Sequence, residues 1–423
     1  AAAETAIGWL QDAGEYTAER GFLWHQYARS RSLRSNRPLW ADITVALAED
    51  DKAATGQLLE TFDERLPRYD RVNAARAVDD LRLAQTAAFD AQHHQHDDQP
   101  LHLQLEESLL AFSDHAGTQL TRQDLGGMRE SAAEAVVHIA MTPRLSLDLD
   151  FASIRRSATS ETVVFNPPHE RGLEAVLRWR QPGGETLLRA GHRESFKTYT
   201  PLQIEHEQRI DNRLTLRMDL GMQLQSQDSL ALRIAGMKDR AGASLRYQAT
   251  RQDQIIGMLW AERYRLQTGT EVGSGRHGSL SYTHSYRVEA PSLEFGAFWS
   301  THDFSQRDLS TLSPHDQEFR RYLPPSITDV GSDYFVPQSF SFYGLQVSTN
   351  MRYEQEYTRA LRPFASMSRT WHSRLGSGYG LRMGLAGALL GADHVRLSWG
   401  LGKSGLQTEG LTRDLQFSYR LHF

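Results

Sequence analysis

The sequence predicts an antiparallel transmembrane β-barrel of 16 strands, preceded by a short all-α domain. Three observations carry that prediction. Residues 1–97 set apolar side chains at helical spacing among Ala, Leu, Gln, Glu and Arg. From Leu101 to Phe423 apolar residues recur instead at every second position, in segments long enough to cross a bilayer. The last of these segments ends on an aromatic residue at the final position of the chain.

Bulk properties bound the alternatives. The 423 residues carry a formal charge of −5 and no cysteine. The charge argues against nucleic acid as a partner. The missing cysteines exclude a disulfide framework and a thiolate metal site. Mean hydropathy is −0.53, and no run approaches the ~18 apolar residues that a membrane helix needs. A β-barrel escapes that test, because only alternate residues of each strand meet lipid. Ala1–Leu10 lacks the basic start and apolar core of a secretory signal, so for an exported barrel we expect a processed or trimmed N-terminus.

Residues 1–97 read as a helical domain and linker, and 98–423 as the barrel. The segments ERGFLWHQYARSRSLRS, PLWADITVALAEDDKAATGQLLETFDERL and VNAARAVDDLRLAQTAAFDAQ consist largely of good helix formers. Leu39, Ile43, Ala46 and Leu47 share a helical face, and Pro38 suits a first turn. Short helices with brief connectors predict antiparallel pairs. The polar run HHQHDDQP (93–100) marks the break.

Beyond it the clearest strand is LTLRMDLGMQLQS (214–226), with Leu214, Leu216, Met218, Leu220, Met222 and Leu224 on one face. The predicted strands are 101–111, 131–141, 143–155, 171–181, 184–196, 199–210, 213–226, 241–251, 254–265, 277–289, 291–302, 340–351, 359–371, 377–389, 393–402 and 410–423. Tight turns at Thr142, Gln181–Gly184, Asp211–Asn212, Gln252–Asp253 and Gly391–Ala392 alternate with longer loops at 112–130, 156–170, 227–240, 266–276 and 303–339. Such alternation is expected of a membrane barrel. LALRIAGMKD (230–239) is read as part of an outer loop with some helix. In the last strand Leu415, Phe417, Tyr419, Leu421 and Phe423 form a lipid-facing stripe. Several of Trp179, Trp260, Trp299, Trp371 and Trp399 are expected in interfacial girdles.

A barrel of this size encloses an aqueous lumen. Strand parity points Asp148, Asp150, Glu174, Arg178, Asp219, Glu289 and Asp414 into it, with Arg180, Arg217, Arg246, Arg287, Arg396 and Arg420. The wall is of mixed charge, and Asp148 with Asp150 makes a local acidic cluster. Ordinary internal ion pairing of a solvated wall explains the same residues. The long segment 303–339 is the candidate gating or selectivity loop. Its Tyr322, Tyr334 and Phe335 can stack on sugars. Asp308, Asp316, Asp329 and Asp333 can meet amino groups, or pair with Arg320 and Arg321.

Catalytic and metal signatures are weak. HHQHDD (93–98) gathers imidazoles and carboxylates, but on a linker. There is no HExxH motif, phosphate-binding glycine loop or nucleophile elbow. His192 with Ser195, and His284 with Ser285, have opposite strand parity. Neither a cofactor nor an enzymatic activity is expected.

The chain also resembles a known architecture. Residues 38–66 look like a degenerate tetratricopeptide unit. LALRIAGMKDRAGASLRYQ (230–248) and the terminal LQFSYRLHF are similar to features of outer-membrane exopolysaccharide exporters, nearest those that carry the Pel polymer. These proteins join tetratricopeptide helices in the periplasm to a porin barrel in the outer membrane. The resemblance implies passive passage of a partly deacetylated, cationic polysaccharide, with outer-membrane lipids around the barrel. It also implies a lipoprotein ring at the periplasmic mouth, polymer-modifying enzymes on the helices, the barrel assembly machinery as a partner, and a longer helical scaffold with an inner-membrane anchor upstream. A small-solute porin, or a structural or adhesive surface barrel, is the alternative.

Overall fold

The computed structural model describes residues 2–29, 38–95, 97–110, 113–160, 164–181, 183–288, 290–307, 316–325, 327, 330–403 and 411–423. Two compact units emerge, Ala1–Ser113 and Asp114–Phe423.

The first unit is helical: α1 (Ala2–Asp12), α2 (Tyr16–Arg29), α3 (Leu39–Ala48), α4 (Lys52–Phe62), α5 (Arg68–Ala77), α6 (Leu81–His94) and α7 (Gln99–Leu110). The same two-aspartate turn joins α3 to α4 and α5 to α6. Asp50 and Asp79 take left-handed φ values of 53° and 63°, which an aspartate tolerates better than most residues. The next residue then caps the following helix: Ala54 N–H donates to Asp51 at 2.9 Å, and Leu83 N–H to Asp80 at 3.1 Å. Leu39, Ile43, Leu58, Leu59, Ala74, Ala75 and Ala84 form the shared core of α3–α6.

Helix α7 corrects a sequence reading, since 101–111 was expected to be the first strand. Leu101, Leu103 and Leu105 do alternate, but Leu101 and Leu105 also share a helical face. Leu101 is fully buried, and Leu105 packs on Val72, Ala87 and Ala88. Leu101 N–H donates to Asp98 at 3.2 Å, and Pro100 stands in the first turn, where its missing N–H costs nothing.

The second unit is one closed antiparallel sheet. Its strands are β1 (His115–Asp124), β2 (Met128–Thr142), β3 (Leu145–Ala158), β4 (Glu170–Gln181), β5 (Gly184–Glu194), β6 (Thr198–Tyr199 continued by Leu202–Arg209), β7 (Leu214–Gln225), β8 (Gly236–Gln248), β9 (Asp253–Leu266), β10 (Glu271–Arg287), β11 (Leu293–Gln306), β12 (Phe340–Thr349), β13 (Arg362–His372), β14 (Gly376–Gly387), β15 (Asp393–Lys403) and β16 (Leu411–His422). Each pairs with its sequence neighbour, and β1 closes on β16 in the register His115↔His422 to Asp124↔Arg413. Closure leaves the sheet without an edge, which is the condition for crossing lipid with strands. The helix at 99–110 and the strand at 115–124 offset each other, so the barrel keeps sixteen strands. β1 lies inside the expected loop 112–130. Its alternation is faint, because Ala116, Thr118, Leu120 and Arg122 occupy the outward positions and only Leu120 is large and apolar.

Parity sorts the two faces. Leu120, Phe151, Leu173, Trp179, Leu188, Leu220, Leu259, Leu280, Trp299, Tyr343, Leu345, Met383 and Leu415 are exposed on the outer face, as lipid contact demands. The terminal stripe holds, with Leu415, Phe417 and Leu421 exposed outward and Phe423 73% exposed. Trp260 departs from the girdle expectation: it faces inward, paired across the register with His277.

The chain enters and leaves the barrel at one end, called here the turn end. Its connectors at 143–144, 210–213 and 249–252 are short, as expected, but 350–361 is long and carries a 3₁₀ turn at Met351–Glu354. At the opposite loop end, 159–169, 226–235 and 307–339 are long. The expected loop 266–276 shrinks to 267–270, because β10 already begins at Glu271. Within 230–239, Leu230–Ala235 forms the short helix α8 and β8 starts at Gly236.

Candidate functional site

The lumen has one acid-rich sector, on β2–β5. Asp148 faces His138 in register and pairs with it. Arg178 reaches Asp148 at 4.0 Å and Glu185 at 2.8 Å. Asp150 stands directly opposite Glu174, an arrangement that repels on one face of a sheet. Glu174 is compensated by Arg189 at 3.1 Å and Arg193 at 3.7 Å. Among the described residues, Asp150 and nearby Glu134 make no ion pair. The structure thus brings Asp148, Asp150, Glu174 and Arg178 together. Asp219 lies on β7 and pairs with Arg240 at 3.0 Å. Asp414 lies on β16, packed against Gly400 across the register, where a side chain would collide with its carboxylate. Glu289 falls outside the described residues.

At the turn end the 350–361 connector folds inward. Glu354 pairs with Arg382, and with Arg396 at 3.3 Å. Both arginines project from the inner face, since their neighbours Met383 and Leu397 are exposed outside. Tyr353 packs with Phe364 and Ala386, and Phe364 lies over Gly384 so closely that no side chain fits there. The Tyr357 hydroxyl donates to Gly391 O at 2.5 Å. The sequence missed this element because a long connector was not expected on the turn side.

At the loop end an apolar core closes over inward strand residues. Met128, Tyr264 and Phe304 from the wall meet Leu232 and Ile234 of α8, and Phe319, Leu323, Phe335 and Val336 of the long loop. Helix α8 is tied to the wall by a buried charge network. Arg156 donates to Glu130 at 2.7 Å and to Glu170 at 2.5 Å. Arg193 reaches Glu170 at 2.7 Å, and Arg233 of α8 reaches Glu130 at 3.1 Å. The long loop has its own fastenings. Buried Asp316 accepts from Thr268, and from Thr270 at 2.8 Å. Ser229 donates to Phe335 O at 2.6 Å, and Lys197 pairs with Glu318 at 2.6 Å.

The predicted loop residues therefore divide. Asp316 meets the hydroxyls of Thr268 and Thr270. Arg320, Arg321 and Asp333 are exposed. Tyr322 and Tyr334 pack edge and face against Phe196, Phe319 and Phe335, and burial pushes the Tyr334 phenol up to about 12. Asp308 and Asp329 lie outside the described residues. Ser195 donates to Ile234 O at 3.2 Å and accepts from Arg156, while His192 points to Glu194 at 3.8 Å, so the two form no catalytic pair. Among the described residues no three His, Asp or Glu side chains converge as metal ligands.

Parity had also concealed a row of rings inside the lumen. Trp299, Tyr343 and Trp371 face lipid, which turns Phe298, His302, Phe340, Phe342 and His372 inward with Trp260 and His277. The histidines at inward positions were the available signal.

Comparison with curated protein sequences gives no match. Among solved structures, a chain described as a bacterial polysaccharide outer membrane secretin superposes with a TM-score of 0.54 at 9% identity, covering 74% of this chain and 99% of that one. Pseudomonas aeruginosa OccK11 (OpdR) superposes with a TM-score of 0.39 at 13% identity, covering 74% and 96%. The first likeness supports the barrel fold independently of sequence. The sequence model described as the C-terminal β-barrel domain of PelB matches residues 110–422. An edgeless sheet with an apolar outside and a charged inside crosses the outer membrane around a polar interior, the architecture of an outer-membrane transport barrel. With that match covering most of its length, the chain belongs to the PelB C-terminal β-barrel family of outer-membrane porin barrels.

Proposed function

We propose that this barrel exports a partly deacetylated, cationic hexosamine polysaccharide of the Pel type from the periplasm to the cell surface. The observation that carries the reading is the β2–β5 sector, where Asp150 faces Glu174 and makes no ion pair among the described residues, with Glu134 nearby. Two like charges held opposite each other favour any cation that comes between them. A polymer bearing repeated ammonium groups supplies such cations one after another. No bond is made or broken. Weak repeated contacts let the chain slide, whereas one tight site would stall it.

The turn end faces the periplasm in this reading, and the helical unit is a periplasmic, tetratricopeptide-like scaffold. Polymer-modifying enzymes on the helices, a lipoprotein ring at the inner mouth and insertion by the barrel assembly machinery are part of the same proposal. The loop fastened through Asp316 is the outer gate, and Asp308, Arg320, Arg321, Tyr322, Asp329, Asp333 and Tyr334 belong to it. Asp148, Asp150, Glu174, Arg178, Asp219, Glu289 and Asp414 line the polymer path.

Single-channel current in a planar bilayer tests the reading. A deacetylated glucosamine oligomer added on the turn side is expected to block current through the Asp316→Ala channel. The double variant Asp150→Asn, Glu174→Gln should weaken that block about tenfold at low salt, with less effect at ~1 M salt, where charges are screened within ~3 Å. Block indifferent to both carboxylates would overturn the assignment of the acid sector. An open wild-type pore that ignores the oligomer would mark a small-solute porin.

A further inference from the structure

We propose that the inner wall of β9–β13 carries a sugar-stacking path, which leads pyranose rings past the loop-end core to the rim between β12 and β13. The inference rests on the export reading above and assigns it a second, uncharged element of recognition.

The rings form one continuous row. Trp260, His277, His302 and Phe340 are successive register partners across β9, β10, β11 and β12. Their centroids lie 5.3, 4.9 and 4.6 Å apart in that order. His372 of β13 continues the row, stacked on Phe340 at 4.4 Å. His277 and His372 are buried and act as backing, whereas Trp260, His302 and Phe340 remain half-exposed to the lumen.

The position of the row gives it a direction. Phe340 opens β12, His372 closes β13, and the short turn at 373–375 follows, so the row runs out onto the rim. The loop-end core draws on β2, β9, β10, β11 and the loops, and on nothing from β12–β16 among the described residues. Only the β12–β13 end of the row, at Phe340 and His372, thus lies on strands from which the core takes no residue.

The chemistry selects the occupant. A water-filled lumen normally presents polar side chains, and the large rings of Trp260 and Phe340 among the histidines have no lipid to face there. A pyranose ring offers C–H bonds on its two faces and hydroxyls around its edge. It lies flat on an aromatic face while its edge stays hydrated. Aromatic platforms of this kind bind ring after ring with little dependence on sequence, as they do for successive bases, and this suits a moving polymer. The acid sector on β2–β5 supplies the complementary charge. N-acetylated units of a partly deacetylated chain need the rings, and deacetylated units can use both walls. Arg240 lies 5.6 Å from the Trp260 ring centroid, so the protein's own guanidinium already covers part of that ring.

Saturation-transfer NMR on the full chain in detergent tests the path, with a neutral N-acetylglucosamine hexamer and its deacetylated counterpart as probes. Heat-modifiable gel mobility checks folding, and Phe340→Leu keeps apolar volume at the rim while removing the ring. Trp260→Ala and Phe340→Leu are each expected to cut saturation of the neutral hexamer's ring protons on the order of fivefold, while Phe417→Leu on the lipid-facing side leaves it unchanged. If the ring variants leave the neutral signal intact while the double variant Asp150→Asn, Glu174→Gln still weakens binding of the deacetylated hexamer, the path is overturned and the export reading stands. If neither hexamer takes up saturation from the wild-type chain, both fall.

Discussion

At the scale of single residues, the least replaceable side chains are the buried charges under the outer mouth. Arg156 is fully buried between Glu130 and Glu170, and Arg193 and Arg233 share the same two carboxylates. The geometry gives each charge an opposite partner in place, so breaking the network is costly. Glu170→Ala takes one of two carboxylates from each of Arg156 and Arg193. It should destabilise the loop end by about 3–5 kcal/mol, with Glu170→Gln milder because it keeps hydrogen-bonding atoms. Protease cutting within 226–235, followed on folded protein, reads that loss; unchanged protection in Glu170→Ala would mean that α8 is held by packing alone. Strand parity makes the inward direction of Asp148, Asp150, Glu174 and Asp414 legible in the sequence. Their partners are less so: which cation meets which acid depends on register and on loops that fold back, and neither is written in alternation. Glu170 and Arg156 sit where strand gives way to loop, so parity offered no reading of them.

At the scale of elements, the misread segments share one cause. A run such as LHLQLEESLL satisfies period two and period 3.6 together over its first five residues, and only Asp98, Pro100 and the packing of Leu105 decide for α7. HAGTQLTRQD shows the reverse problem. As β1 it is held by β2 and β16 on both sides, so it needs little apolar signal of its own. The 350–361 connector belongs to this scale as well. Its fold depends on Glu354 reaching two arginines from strands that follow it in the chain. Glu354→Ala should release the connector from the inner wall and leave Arg382 and Arg396 to repel each other. A spin label at Gln355 should then show broader motion than in the wild-type chain. An equally rigid label in the variant would mean that the Tyr353–Phe364 contact suffices to hold it.

At the scale of the whole barrel, alternation over more than three hundred residues predicts closure and the lipid-facing skin, because every strand must meet the same solvent in the same way. It says little about the two ends, where chain folds back on chain. There the structure has two separate inward elements. One is the loop core fastened through Asp316, and the other is the connector fastened through Glu354. They stand at opposite ends of one conduit, so they act as resistances in series, and the larger resistance sets the current. Opening one alone leaves the other limiting. Asp316→Ala and Glu354→Ala are therefore each expected to raise single-channel conductance modestly, and the double variant to exceed the sum of the two increases severalfold, a coupling without any contact between the sites. Simple additivity would show that the two elements obstruct parallel paths. A full opening by either variant alone would show that only one of them narrows the pore, and would assign the gate to that end.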